Sequence, residues 1–303
     1  MMDKLTKIKH NFNHKPKLGL ALSGGGARGL SHIGVLRALE KAGLQPDYLS
    51  GTSMGGAIAA AYAAGSSPAD LEALALELTT TRNLLRLADL TIPRKGLFQG
   101  GRLLAFFEEQ LKGITFNELR VPLVLVAVDL NSGKEIHLSE GSVAEAVRAT
   151  ISIPGLLAPV EDNGRRLVDG ALLNNIPVDV VRQMGADVTI AVDVYASSEG
   201  ASFWQELGRK RFLSGTIGEL IAVLGDSLDL LIHQQSVNRL DKNPPDFLLL
   251  PDIPTGVSVV TGFNRAADLI AQGEESARPI LSDLEAALQP QRRWPWSRRS
   301  FVK

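Results

Sequence analysis

Apolar residues along this chain fall into short continuous runs separated by stretches with helical spacing, and the two kinds alternate. Residues 18–23 (Leu-Gly-Leu-Ala-Leu-Ser) and 48–50 are strand-like runs. Between them, residues 31–42 place Ile33, Leu36 and Leu39 on one helix face, and residues 57–64 are small and helix-like. A helix over 68–80 is entered at Ser67-Pro68, and residues 103–111 resume helical spacing. Residues 121–130 are almost continuously apolar, as expected of a strand buried on both faces of a parallel sheet. Residues 134–138 follow an Asn131-Ser132-Gly133 turn as a hairpin partner. A helix over 143–151 stops ahead of Pro154. A short strand over 166–168, a helix over 178–184 and a buried strand over 188–194 come next. Helices over 203–212 and 217–240, the latter long and amphipathic, a strand over 247–250, and a closing helix over 266–288 with Pro279 near its middle complete the pattern.

Repeated strand and helix alternation means an α/β fold with a mostly parallel central sheet. No internal repeat is visible. The spacing predicts one domain over 18–288, with a motif-bearing core over 18–195 and a helical part over 196–288, between tails at 1–17 and 289–303. Residues 82–101 are irregular, and read either as a loop or cap near a site or as an ordinary long connection.

With 45% apolar residues in 303, the chain has material for a large core. No run of 18 or more apolar residues predicts a membrane-spanning helix, and the lysine-rich start lacks the apolar stretch of a secretory signal. The absence of cysteine excludes disulfides, thiolate metal sites and a cysteine nucleophile. These features point to a cytoplasmic protein. Charge is uneven: residues 1–17 hold five Lys against one Asp, and residues 286–303 hold four Arg and one Lys without an acid. The body keeps 22 basic against 32 acidic residues, which argues against nucleic acid as a partner. The basic ends leave two readings open. One is a solvated tail; the other is peripheral contact with an anionic membrane, with Trp294, Trp296 and Phe301 at the interface.

Two glycine-framed turns carry the candidate chemistry. Gly24-Gly25-Gly26-Ala27-Arg28-Gly29 follows the first apolar run, and Gly51-Thr52-Ser53-Met54-Gly55 follows the second. The second has the G-x-S-x-G form, in which small residues let a strand turn sharply into a helix and leave a serine hydroxyl exposed. The first offers successive N–H groups at a helix start, where a developing oxyanion is stabilised. Either pattern arises by chance about 0.2 to 0.3 times in such a chain. Their position after consecutive strands is what gives them weight.

A serine nucleophile needs a base. Of the five histidines, His10 and His14 lie in the tail, and His32 opens the helix after the glycine loop in a position suited to supporting it. His137 falls on a hairpin strand. His233 meets the Ser, Asp, His order of α/β-hydrolases but sits inside a helix. A carboxylate acting directly is the alternative, and Asp129, Asp169 and Asp193 all stand at strand ends, where turn-forming is the commoner role. Asp169 is set apart modestly by the Gly170-Ala171 that follows.

The ordered set of the glycine loop, Gly51 to Gly55, and Asp169-Gly170-Ala171 resembles the patatin-like phospholipases. Arg148-Ala149-Thr150, Pro154, Pro159-Val160 and the stretch from Pro122 to Asp129 extend the likeness. It runs from about Leu18 to Val194, and less distinctly through Pro244-Pro245-Asp246 and Gly262-Phe263 to about Leu281. The resemblance implies a three-layer α/β/α fold and a lipid or ester substrate cleaved through a Ser-Asp dyad that needs neither metal nor cofactor. Ser53 is then the nucleophile and Asp169 the base. Gly24, Gly25 and Gly26 form the oxyanion loop, with the N–H groups of Gly25 and Gly26 as donors. Arg28 steadies that loop or attracts an anionic head group, and Gly29, Gly51, Gly55 and Gly170 are motif glycines. Thr150 replaces the family's usual serine, a change expected to be harmless. Two other classes stay in view. A regulatory or lipid-binding protein on the same fold would also keep these residues. A nucleotide-binding turn would need a carboxylate at the end of the second strand, whereas Asp47 precedes it.

Overall fold

An eight-stranded sheet with helices on both faces organises the chain in a computed structural model, which describes residues 15–79, 89, 98–195, 216–259 and 261–290. Its strands are β1 (Leu18–Leu22), β2 (Tyr48–Thr52), β3 (Leu123–Asp129), β4 (Lys134–Leu138), β5 (Val160–Asp162), β6 (Arg165–Asp169), β7 (Val188–Val192) and β8 (Phe247–Leu249). Neighbours run in the order β5-β6-β3-β2-β1-β7-β8, with β4 also on β3. The pairs β3-β2, β2-β1, β1-β7 and β7-β8 are parallel, while β4, β5 and β6 make the antiparallel end. The order reverses at β1, whose neighbours are β2 on one side and β7 on the other. Ligand crevices in open α/β sheets form at such a point, beyond the carboxyl ends of the strands.

The helices are α1 (Ser31–Lys41), α2 (Ser53–Ala64), α3 (Pro68–Glu77), α4 (Gly101–Leu111), α5 (Val143–Thr150), α6 (Val178–Met184), α7 (Thr216–Lys242), α8 (Ala266–Ala277) and α9 (Leu281–Ala287). Alternation along β1 separates the layers. Leu18, Leu20 and Leu22 face a core shared with α1, α2, α5, α8 and α9, whereas Ala21 faces Ile176, Val178 and Val181 on the α6 side. Gly19 lies on that second face, and a methyl group there would meet Val181 and Ala186 at 2.9 and 2.6 Å, so its missing side chain is what lets α6 close on the sheet.

Three sequence expectations are corrected. The helix expected from residue 57 begins at Ser53 itself, directly off β2. The closing helix is interrupted at Arg278–Ile280 by a tight 3-10 turn, because Pro279 cannot donate an N–H to the preceding turn. The long helix α7 is not simply amphipathic. Leu228 and Ile232 are partly buried, yet Val223, Leu224, Leu230 and Leu231 on the same helix are 56–66% exposed. Of the tails expected at 1–17 and 289–303, residues 1–14 and 291–303 lie outside the described residues, as do most of 82–101 and the helix over 203–212. Among the described residues, no helix is long and apolar enough to cross a membrane.

Candidate active site

The second glycine turn owes its shape to crowding at the end of β2. A side chain at Gly51 would strike the backbone of Gly56 at 2.7 Å, and one at Gly55 would run into the main-chain carbonyls of Leu22 and Ser23. With both positions bare, α2 starts against the end of β1, and Ser53 is held at φ 53°, a left-handed conformation unusual for a residue with a side chain. The Ser53 N–H donates to Thr150 Oγ1 at 3.0 Å, and that hydroxyl in turn donates to the Val126 carbonyl. Thr150 thus supplies the hydroxyl this position requires, and its extra methyl packs toward Gly56.

Asp169 reaches Ser53 through the edge of β3. Because β4 occupies one edge of β3 along 125–129, β2 and β6 share the other: Thr52 pairs with Val126, and Asp169 pairs with the next residue, Ala127. The chain leaves β2 at Ser53, and the vacated edge is taken by β6, which ends at Asp169. Gly170 then passes over the Val126 backbone, where any side chain would collide. Asp169 is 3% exposed and accepts the Ala171 N–H at 2.9 Å. Burial pushes its carboxyl up to about 6, against the opposing effects of the Ala171 hydrogen bond and of the neighbouring Ser53 side chain.

The other two strand-end acids are turn formers. Asp129 accepts from the N–H of Arg166 at 2.9 Å and the Ser132 hydroxyl at 2.7 Å, and these with the Asn131 and Ser132 N–H groups hold it down to about 2. Asp193 accepts the Tyr195 N–H at 2.8 Å. Neither histidine candidate meets the serine. His233 lies exposed on α7, and His137 pairs with Glu135 at 2.8 Å on β4. His32 is fully buried, its Nε2 hydrogen-bonded to the Ser23 carbonyl at 2.8 Å, and burial lowers its pKa to about 4.

The glycine loop divides its donors. Gly24 is corrected as an oxyanion contributor: its N–H is already given to the Asn175 carbonyl at 3.2 Å and to Asn175 Oδ1 at 3.1 Å. Among the described residues, the N–H groups of Gly25 and Gly26 have no protein acceptor, and both glycines line a pocket with Ser53 and Asp169. Gly26 sits at φ 57°, packed on the Val259 carbonyl so closely that no side chain fits. That carbonyl also accepts the Ala27 N–H at 3.1 Å. Arg28 is 8% exposed; its guanidinium donates to the Val257 carbonyl at 3.3 Å and lies over the Tyr195 ring at 4.9 Å. A methyl group at Gly29 would meet the Met54 side chain at 2.6 Å, so the bare glycine lets the two turns pack together.

Sequence reasoning missed Asn175, Tyr195, Asp229 and the segment Val257 to Val259. Asn175, Tyr195, Asp229 and Val259 line the pocket, and Tyr195 donates its hydroxyl to Asp229 of α7 at 2.7 Å. Burial and the Asp229 carboxylate raise the Tyr195 pKa. The nearness of Asn175 to the Asp169 motif was a usable signal. Nothing in the spacing of residues 195, 229 or 257 marks them. The remaining wall is apolar: Ile153, Pro154, Leu172, Leu228 and Ile232.

Comparison with known proteins addresses the family and the fold. Residues 20–182 match the family model described as patatin-like phospholipase. An uncharacterized NTE family protein of Mycobacterium bovis is 37% identical over 185 residues, which is 61% of this chain and 51% of that protein. The patatin-like phospholipase domain-containing protein 6 of Mus musculus is 38% identical over 187 residues, covering 60% of this chain and 14% of its own length. The chain thus matches about half the length of the mycobacterial relative and a small part of the mouse one. Among solved structures, VipD from Legionella pneumophila superposes with a TM-score of 0.50 over 89% of this chain and 67% of its own, at 16% identity, a likeness of fold.

Proposed function

Since this chain belongs to the patatin-like phospholipase family, we propose that it is a lipid acyl hydrolase acting through Ser53 and Asp169. One observation carries the reading: a serine in a left-handed turn and a buried carboxylate share a pocket with two N–H groups that, among the described residues, have no protein acceptor.

Ser53 Oγ attacks the ester carbonyl while Asp169 takes its proton. The carbonyl oxygen becomes an oxyanion facing the Gly25 and Gly26 N–H groups, which are fixed before the charge develops. As the tetrahedral intermediate collapses, Asp169 returns the proton to the departing alcohol, leaving an acyl ester on Ser53. Water then attacks that ester with Asp169 again as base, and the fatty acid leaves as Ser53 recovers its proton. A carboxyl near 6 suits both halves, being ionised at neutral pH yet more basic than an exposed aspartate. No step calls on a metal, a cofactor or a histidine.

The apolar wall from Ile153 to Ile232 matches an acyl chain. The helix that supplies Leu228 and Ile232 to this wall also exposes Leu224, Leu230 and Leu231, which supports entry of substrate from a lipid surface on that side.

Ser53→Ala is expected to abolish both phospholipid hydrolysis and labelling by a fluorophosphonate, and Asp169→Asn to reduce both severely. His233→Gln should retain full activity. Normal labelling of Ser53→Ala would overturn the assignment.

A further inference from the structure

Asn175 is 2% exposed and lines the catalytic pocket. Its side-chain oxygen is committed, because Oδ1 accepts the Gly24 N–H at 3.1 Å, and this bond fixes which end of the amide is which. The other end, Nδ2, is buried and, among the described residues, has no hydrogen-bond partner. Leaving a buried donor unpaired costs about 1–3 kcal/mol, so such a group at a pocket calls for an explanation. Among the described residues, the neighbouring Gly25 and Gly26 N–H groups are likewise without protein acceptors. A methyl placed at Gly24 would meet Asn175 Oδ1 at 2.6 Å and the Ser53 Cβ at 3.0 Å, so this amide and the serine flank the same glycine.

We propose that the Asn175 side-chain amide is a third oxyanion donor: its Nδ2–H binds the carbonyl oxygen of the substrate as that oxygen becomes negative. The idea rests on the Ser53 acyl-transfer reading. The free protein carries the cost of the orphaned donor, and the tetrahedral intermediate relieves it. Binding energy realised only in the transition state lowers the barrier to acylation. The backbone is prepared for this role. Asn175 lies in the loop between β6 and α6, and its own carbonyl gives Gly24 a second acceptor at 3.2 Å. The loop is further held by Thr52 Oγ1 donating to the Asn174 carbonyl and Ser50 Oγ donating to the Pro177 carbonyl, each at 2.8 Å.

Two variants separate donation from support of the loop. Asn175→Ala removes Nδ2 while the main-chain acceptor for Gly24 remains, and Asn175→Asp keeps a side-chain acceptor but cannot donate when ionised. Rates are measured on a soluble phospholipid and normalised to sites titrated by fluorophosphonate, with Ser53→Ala in parallel. Both variants are expected to lose about 100-fold to 1,000-fold in kcat, with KM changed only a few-fold, as for removal of one oxyanion donor. An unchanged kcat in Asn175→Ala overturns the proposal, and a rise in KM alone assigns Asn175 to ground-state binding and overturns it equally. Activity persisting in Ser53→Ala would instead sink the acyl-transfer reading beneath it. A measurement on the wild type needs no variant. The Asn175 side-chain amide resonance should move downfield when Ser53 carries a phosphonate, whose oxygen occupies the oxyanion position; an unmoved resonance counts against the donor.

Discussion

Replacing Asp169 by asparagine should make the protein inactive and, at neutral pH, more stable. The carboxyl is buried at 3% exposure and its pKa is raised from 3.8 to about 6. An acid with a raised folded-state value gives its full stability below the unfolded value, where it is neutral in both states. That stability is lost as pH climbs from 3.8 through about 6, because the unfolded chain releases the proton first. A shift of about 2 units amounts to roughly 3 kcal/mol when the transition is complete. Between about pH 5 and about pH 7.5, a single group with these values forfeits about 1.4 kcal/mol. Asparagine keeps an oxygen for the Ala171 N–H but does not titrate. Urea unfolding of the wild type and Asp169→Asn across this range should therefore diverge, the variant gaining about 1.4 kcal/mol on the wild type as pH rises. Wild-type turnover should fall below about pH 6 as the base is protonated. A stability difference that stays flat with pH would refute the claim that Asp169 is a buried, destabilising base.

Ser53→Gly and Ser53→Ala both remove the nucleophile, but only glycine relieves the φ of 53°; the glycine variant should be about 1 kcal/mol more stable in denaturant titration, and equal stabilities would count against a strained turn. His32 has a folded value of about 4, below its ordinary 6.5, so it holds stability above pH 6.5 that is lost as pH falls toward 4; the roughly 3 kcal/mol involved should vanish from the acid limb of the stability curve in His32→Gln. Gly34 lies against the Ile270 carbonyl where α1 crosses α8, and Gly34→Ala should cost about 1–3 kcal/mol by chemical denaturation. Leu230→Ser with Leu231→Ser should weaken sedimentation with phospholipid vesicles while leaving hydrolysis of a short soluble ester intact; unchanged sedimentation would remove α7 as the lipid-facing side.

Much of the fold is legible along the chain because local spacing reports local structure. The apolar runs mark six of the eight strands to within a few residues, β4 is announced by its turn, and only β5 is unsigned. Val160–Asp162 is three residues long with no buried alternation, and exists because β6 offers it an edge. The limits of helices were less legible where packing overrode propensity. Small residues after Ser53 carry α2 back to the serine itself, since Gly55 fits under the carbonyls of β1.

At the site, the serine turn and the glycine loop are legible along the chain, because both depend on glycines at fixed short spacing. For the base, the chain offered three strand-end aspartates beside His233, which meets the chain order of a triad but sits inside a helix. The Gly170-Ala171 that follows set Asp169 apart only modestly and the family resemblance pointed to it; the sheet adds that Asp129 accepts turn N–H groups, Asp193 accepts the Tyr195 N–H, and β6 takes the edge of β3 that β2 leaves, bringing Asp169 into the pocket with Ser53. The same is true of the donors. Three adjacent glycines look equivalent in a string, yet a residue 151 positions later takes the N–H of Gly24, and Val259 fixes Gly26 from farther still. Local sequence encodes backbone shape, because conformational limits act within a few residues. Burial, orphaned donors and shifted carboxyls arise only when distant segments exclude water together, and that is a property of the folded chain alone.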